Sequence, residues 1–413
     1  MEDPKKTSMD NSSALMDEVL KLLVTTDSPS LASLIESRRN ELGLSTKGAS
    51  EVLGIPRSSY DRLITGALQK PDVLTALKLA HFLDVSVEEV IKMFAASVMP
   101  TDDFKSVERV KEASFIIKNF DVARLRKIGF IESIDYGHIS ARIIQYFGLN
   151  SLYEYGTESA AVLFSRAKTN VEDKMMSFWI MSAYKQFKRI DNPNPFDSDR
   201  VEKLSTQIQQ FTRKEKTGLL TVMRALYNAG VTVITQKSLP NTSVQGGTFI
   251  VNKKPCIVIT DHFKSYPLLW LTLLHELGHV IFHLDKLAVL KYHITDGIED
   301  LMLMEPQADR FARQMLLPTR KFEYIKNYIN IESFVASYAE QNGIHSSIIY
   351  YMHAKELSDQ NDKTGFQYYN RFLTKSDVCS DQLHKAPWIN NSLLVEEADK
   401  VKELLATNSQ SSN

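Results

Sequence analysis

The 413-residue sequence predicts a mainly α, α+β chain: an amino-terminal helix-turn-helix unit of five helices, a helical middle region, and a carboxy-terminal domain with a small β-sheet. Three observations carry this. Apolar residues recur at helical spacing along most of the chain. Glycine and proline cut the segment from Ser28 onward into short helices. β-rich runs cluster at VTVIT from Val231, TFIVN from Thr248 and CIVIT from Cys256, just before a long apolar helix.

Length and an apolar content of 43% allow two or three domains with real cores. The boundaries expected are a polar leader with a short helix over 1–27, the helix-turn-helix over 28–95, a helical spacer over 96–216, the chemical domain over 217–358, and a partly disordered extension over 359–413. A net charge of −1 leaves no global field for nucleic acid, so binding of that kind has to come from a local patch. Cys256 and Cys379 share no short spacing, which points to reduced thiols. With no signal peptide and no membrane span to be found, the expected location is the cytoplasm.

Within the leader, ALMDEVLKLLV over residues 14–24 has helical spacing. Ser28 and Pro29 then open a helix over Leu31–Leu42 that Gly43 closes, and Ser45 caps a second that runs to Leu53 and stops at Gly54. Pro56 suits the first position of a third helix, ended by Gly66, and Val73–Leu83 and DVSVEEVIKMF supply two more. A short helix, the tight turn Leu53-Gly54-Ile55-Pro56 and another short helix give helix-turn-helix geometry. The stretch from TKGASEVLGIPRSSYDRLITG to FLDVSVEEVI resembles the Cro/repressor (XRE) type of that fold. The resemblance implies a double-stranded DNA operator as partner and Pro56–Thr65 as the recognition helix. Arg57, Ser58, Ser59 and Arg62 then reach base edges or phosphates, and Lys47 the backbone. Between Leu31 and Asp72 six Lys or Arg face five Asp or Glu, so a monomer binds weakly and a homodimer on two half-sites is expected.

The middle region mixes apolar residues at helical spacing with charge and carries no chemistry. Phe178, Trp179 and Tyr184 read as core, and Asp191–Arg200 as a connection. Leu219–Ala229 is a helix stopped by Gly230, and Gln245, Gly246 and Gly247 read as a flexible turn or hairpin connection. A strand edge near the chemical site could hold an extended peptide by β-addition.

The organising stretch is LTLLHELGHVIFH, Leu271–His283, which holds the HExxH pattern. Residues four apart share a helix face, so His275 and His279 offer two imidazoles to one ion. Glu276 projects roughly 100° round, where it can reach a water without being a ligand. A bare match of this kind arises by chance in many proteins, but a helix apolar on both flanks needs a reason to carry two histidines and a carboxylate. A catalytic zinc site takes a third protein ligand. Glu305 opens EPQADRFARQMLLP, where Ala308, Phe311, Ala312 and Met315 keep helical spacing, and it is preferred over His283 and His293. Asp309, one turn on, is placed to orient a ligating histidine.

WLTLLHELGHVIFH followed by ExxADxFAxxxLLP resembles the ImmA/IrrE family of metallopeptidases, and the resemblance extends upstream through GVTVITQKSLPNTSVQGGTFIVNKKPCIVITD and downstream to AEQNGIHSSIIYYMHAK. It implies a zincin-like domain, with His275, His279 and Glu305 holding zinc and Glu276 as catalytic base. Asp309 stands where many members of that family have asparagine, a departure that leaves the ligand set intact. Two histidines and a carboxylate also suit manganese or iron. Tyr292, His293 and His345 are open candidates for an oxyanion donor. The expected function is a DNA-binding regulator with zinc-dependent endopeptidase activity, which by resemblance cuts a repressor-like protein under stress. The alternative is a DNA-binding antitoxin or autoregulator, paired with a toxin, whose metal site is structural or sensory. Substrate, operator, signal and metal identity are not written in the motif.

Overall fold

The structure, a computed structural model, describes residues 30–68, 72–98, 101–157, 174–238, 244–260, 264–290, 292–294, 304–362, 364–380, 383–385, 388–389 and 391–407. The helix expected over residues 14–24 and the tail after residue 407 lie outside the described residues. Two compact units divide after Lys111.

The first unit holds α1 (Leu31–Glu41), α2 (Thr46–Leu53), α3 (Arg57–Ile64), α4 (Val73–Leu83) and α5 (Val87–Val98). Short polar side chains start three of them: Ser30, Ser45 and Asp72 accept from the backbone N–H of Ser33, Gly48 and Thr75 at 3.2, 3.0 and 2.7 Å. Each such cap contributes about 1 kcal/mol. Pro56 is the cap residue of α3 and not its first helical residue, so its fixed φ directs the chain out of the turn. Gly54 closes α2 at φ +57, a conformation that costs a Cβ-bearing residue about 1–2 kcal/mol. The Lys78 ammonium donates to the Gly54 carbonyl at 2.8 Å and ties α4 to the turn. Ile35, Ala49, Leu53, Tyr60, Leu63 and Leu79 meet in the core. Buried Tyr60 donates its hydroxyl to Glu36 at 2.9 Å, and the Arg39 guanidinium binds the same carboxylate.

The second unit begins within α6 (Thr101–Asn119) and continues through α7 (Val122–Lys127), α8 (Tyr136–Phe147), α9 (Glu154–Thr157), α10 (Lys174–Ile190), α11 (Ser198–Ser205) and α12 (Gly218–Tyr227). Strands β1 (Thr232–Gln236), β2 (Gly246–Val251), β3 (Lys254–Thr260) and β4 (Tyr292–Ile294) form one sheet in the order β1-β3-β2-β4. β1 runs parallel to β3, and β2 pairs antiparallel with β3 and β4. Asn252 and Lys253 join β2 to β3 with φ of +51° and +64°, the left-handed pair of a tight hairpin turn. Between β3 and β4 come α13 (Tyr266–Phe282) and α14 (Leu284–Leu290). After β4 come α15 (Met304–Leu316), α16 (Thr319–Lys326), α17 (Glu332–Gln341), α18 (Ser346–Asp359), α19 (Thr364–Tyr369), α20 (Asp377–Ser380) and α21 (Leu394–Ala406). Among the described residues no helix is long and apolar enough to cross a membrane.

Three expectations change here. The helical spacer, the chemical domain and the extension share one continuous core, so residues 216 and 358 do not mark breaks in packing. α10 carries Phe178, Trp179 and Tyr184 into that core, and Trp179 donates its ring N–H to the Lys237 carbonyl beyond β1. The extension is anchored by α21, where Asp399 pairs with Arg189 at 2.7 Å and the Leu404 carbonyl accepts from Arg224 at 2.8 Å. Second, Gly246 and Gly247 belong to β2, and only Gln245 precedes the strand. Third, β2, the strand that reaches Glu276, is paired on both sides, so among the described residues the outer strands of the sheet are β1 and β4. Cys256 and Cys379 are both buried, and burial pushes the Cys256 thiol well above its ordinary value.

Candidate metal centre

α13 is Leu-rich, has Pro267 in its first turn, and is buried on nearly every face by β2, β3 and α15. His275 is 6% exposed, and Glu276 and His279 are fully buried. Such burial of polar side chains is costly unless each finds a partner.

α15 supplies them. Gly278 lies where the two helices touch: a Cβ there would come within 3.2 Å of the Ala308 Cα and 3.1 Å of Phe311. That close approach sets Glu305, in the first turn of α15, against the histidines. His275 Nε2 lies 3.3 Å from Glu305 Oε2, His279 Nε2 3.2 Å from Glu305 Oε1, and the two Nε2 atoms 3.0 Å apart. One ligand atom from each residue falls within a 4.8 Å group, the one His/Cys/Asp/Glu cluster of metal-holding geometry among the described residues. Ligands at bond lengths of ~2.0–2.1 Å round a tetrahedral ion stand about 3.3 Å apart, so these separations fit a small divalent metal. Charge fits too. Burial pulls the His275 imidazole down, but Asp309, Glu305 and Glu276 together outweigh it and raise its pKa to about 10. The surroundings thus stabilise positive charge at this point.

The remote ring nitrogens are also engaged. His275 Nδ1 lies 2.8 Å from Asp309 Oδ1. His279 Nδ1 lies 3.1 Å from His283 Nδ1, and His283 Nε2 lies 3.1 Å from Gln307 Oε1. This chain of contacts suits a tautomer in which His283 donates from Nε2 to the Gln307 oxygen and accepts from His279 Nδ1–H, the arrangement that turns the His279 Nε2 lone pair toward Glu305. His283 is therefore neither surface nor spare core. Its i+4 spacing from His279 was the only signal for it, and nothing local marks Gln307.

Glu276 points to the sheet. The Thr248 hydroxyl on β2 donates to Glu276 Oε2 at 2.7 Å. Gly246 makes the room: a Cβ there would sit 2.7 Å from Thr272 Cγ2 and 2.8 Å from Glu276 Oε1. The sequence marked Gly246 only as part of a turn and Thr248 only as the start of a β-rich run. A cleft of about 480 Å³ opens beside His275 and Asp309.

His345 does not reach the site. It caps α18 by accepting from Ser347 N–H at 3.2 Å and pairs with Glu215 at 2.8 Å. Tyr292 and His293 lie on β4, opposite Phe249 and Thr248 of β2. In the first unit Lys47, Arg57, Ser58 and Arg62 are exposed and Ser59 is half-buried. Arg57 donates to the Thr46 hydroxyl at 3.0 Å, which bridges the starts of α3 and α2.

Residues 35–90 match the helix-turn-helix family, and residues 228–340 match a peptidase family described as the IrrE N-terminal-like domain. Neither a curated protein nor a solved structure matches the chain.

Proposed function

We propose that this chain, which joins an XRE-type helix-turn-helix to an ImmA/IrrE-like peptidase domain, is a cytoplasmic DNA-binding regulator that cleaves a repressor-like protein through a zinc-dependent site. The convergence of His275, His279 and Glu305, with Glu276 next along the helix, is the observation that carries this reading. A purely structural site has no need of a base beside it.

The three residues would hold the ion, and Asp309 and His283 would orient the two imidazoles. When bound, the metal supplies Lewis-acid polarisation of the scissile carbonyl and acidifies a water at neutral pH. Glu276 takes the proton from the attacking water and passes it to the leaving amine, so its carboxylate must be ionised at the start and held in place. The Thr248 hydroxyl does that holding, since it donates to Glu276 Oε2 at 2.7 Å and fixes the carboxylate's orientation.

On DNA, α3 enters the major groove with Arg57, Ser58, Ser59 and Arg62, and Lys47 contacts phosphate. Asp61 is also exposed on α3, which keeps a single copy weak and favours two copies on two half-sites. Exposed Val73, Leu74 and Leu77 on α4 supply an apolar surface for the second copy.

The test is elemental analysis of wild type, Glu276→Gln and His279→Ala, with cleavage of repressor-like proteins encoded beside the gene. Zinc near one per chain in the first two, with cutting by wild type alone, supports the proposal. Wild type that holds zinc and binds its own promoter but cuts nothing hands the case to the antitoxin or autoregulator.

A further inference from the structure

The cleft beside His275 is walled in part by chain that lies beyond the matched peptidase segment. Leu268, Leu271, Thr272 and His275 follow one another at helical spacing along one stripe of α13 and all line it. Leu268 and Leu271 are half-exposed, and apart from Ile281 and Phe282 at the far end of α13 the rest of the helix is buried, so along its first half this stripe is what is left uncovered. Opposite stand Met352 of α18, Phe366 of α19 and Leu373. The last two belong to residues 359–413, outside the 228–340 match.

That wall is built in. Tyr266 N–H donates to the Thr374 carbonyl and Ser376 N–H to the Lys264 carbonyl, both at 3.0 Å, so the chain after Leu373 pairs with the start of α13. Thr374 N–H donates to the Ser347 hydroxyl at 2.9 Å. Phe366 packs edge-on to Tyr351 at 5.4 Å between ring centres. The site's one flank that composition reads as a polar extension is thus a fixed part of the cleft.

Resting on the peptidase reading, we propose that this cleft receives a bulky apolar side chain next to the bond that is cut, and that Phe366 and Leu373 set its selectivity. A volume of about 480 Å³ holds such a side chain together with its backbone. The cations at the cleft do not argue for an acidic substrate, because Lys355 and Arg313 both reach Asp359, at 2.7 and 3.4 Å.

The experiment uses the zinc-loaded full-length Glu276→Gln protein and three blocked peptides, acetyl-Ala-Phe-Ala-amide, acetyl-Ala-Ala-Ala-amide and acetyl-Ala-Asp-Ala-amide, titrated by calorimetry. The phenylalanine peptide should bind about tenfold tighter than either other, as burial of a large apolar side chain implies. Leu373→Asp should erase the preference. Leu268→Trp, which fills the cleft from the other wall, should do the same, with metal content as the control for folding. Equal affinity for the three peptides, or a preference unchanged in both variants, overturns the proposal. Wild type is then given a peptide library. Peptide selectivity without any cleavage keeps the pocket and sinks the peptidase reading; cleavage that ignores apolar residues does the reverse.

Discussion

The two candidate working surfaces are built in opposite ways. In the first unit, Lys47, Arg57, Ser58 and Arg62 project from α2 and α3 into solvent, while the fold rests on other residues: Leu53, Tyr60 and Leu63 inside, Ser45 and Gly54 at the helix ends. In the second unit His275, Glu276 and His279 are themselves core residues, and their partners lie on α15 and β2. The candidate working residues are thus distinct from the core in the helix-turn-helix and belong to it at the candidate metal centre. Buried charged groups must be matched by partners, so a change there that alters the size of a buried side chain disturbs packing and chemistry together.

The sharpest test of that contrast is Glu276→Gln, a change of nearly equal volume. Turnover should fall about 10²–10⁴-fold with zinc retained, as loss of a general base does, and assay beside metal analysis reads both. Asp309→Ala should weaken zinc affinity about 10–100-fold in competition with a chelator, while the melting temperature barely moves because its side chain is 61% exposed. Unchanged affinity would remove Asp309 from the site. Gly246→Ala should cost about 1–3 kcal/mol in thermal unfolding and lower turnover as well, since the added methyl strikes Thr272 and Glu276. If it lowers stability but leaves turnover intact, the coupling of packing to chemistry is broken at that position.

Arg57→Ala tests the other side. Operator affinity should drop and its salt dependence should flatten by about one unit of slope, with no loss of melting temperature beyond that of the Thr46 contact. The smallest effect concerns acid. The Arg39 guanidinium, with Tyr60, holds the Glu36 carboxyl below its ordinary value against the opposing effect of burial. Its contribution is complete above the unfolded carboxylate range and is lost as pH falls through the lowered folded value. Glu36→Gln should flatten the acid limb of hydrogen-exchange protection in α1 and α3 of the full chain. An unaltered limb would assign that sensitivity elsewhere.

Legibility follows the same divide. The first four helices of the first unit begin or end at local signals, as at Ser45, Gly54 and Asp72, because caps and left-handed glycines act over a few residues. At the metal centre the i+4 histidines and the first-turn glutamate of the next helix were readable for the same reason. Thr248, Gly246 and Gln307 were not: each matters only through a contact with a residue far along the chain. Gly246 looked like a turn because glycine signals freedom locally, whereas here it signals absence of a side chain beside Glu276. His345 looked available because an isolated histidine carries no sign of the cap it serves.

What the sequence determined by itself was periodic and local: helix spans, their ends, and the faces of α13 and α15 that carry His275, His279 and Glu305, since backbone geometry alone places residues four apart on one side. What only tertiary structure decided was the company those faces keep: Thr248 against Glu276, β4 closing β2, and Phe366 and Leu373 walling the cleft. Such contacts depend on how whole elements pack to bury apolar surface, and no residue advertises its distant partner in its own neighbourhood.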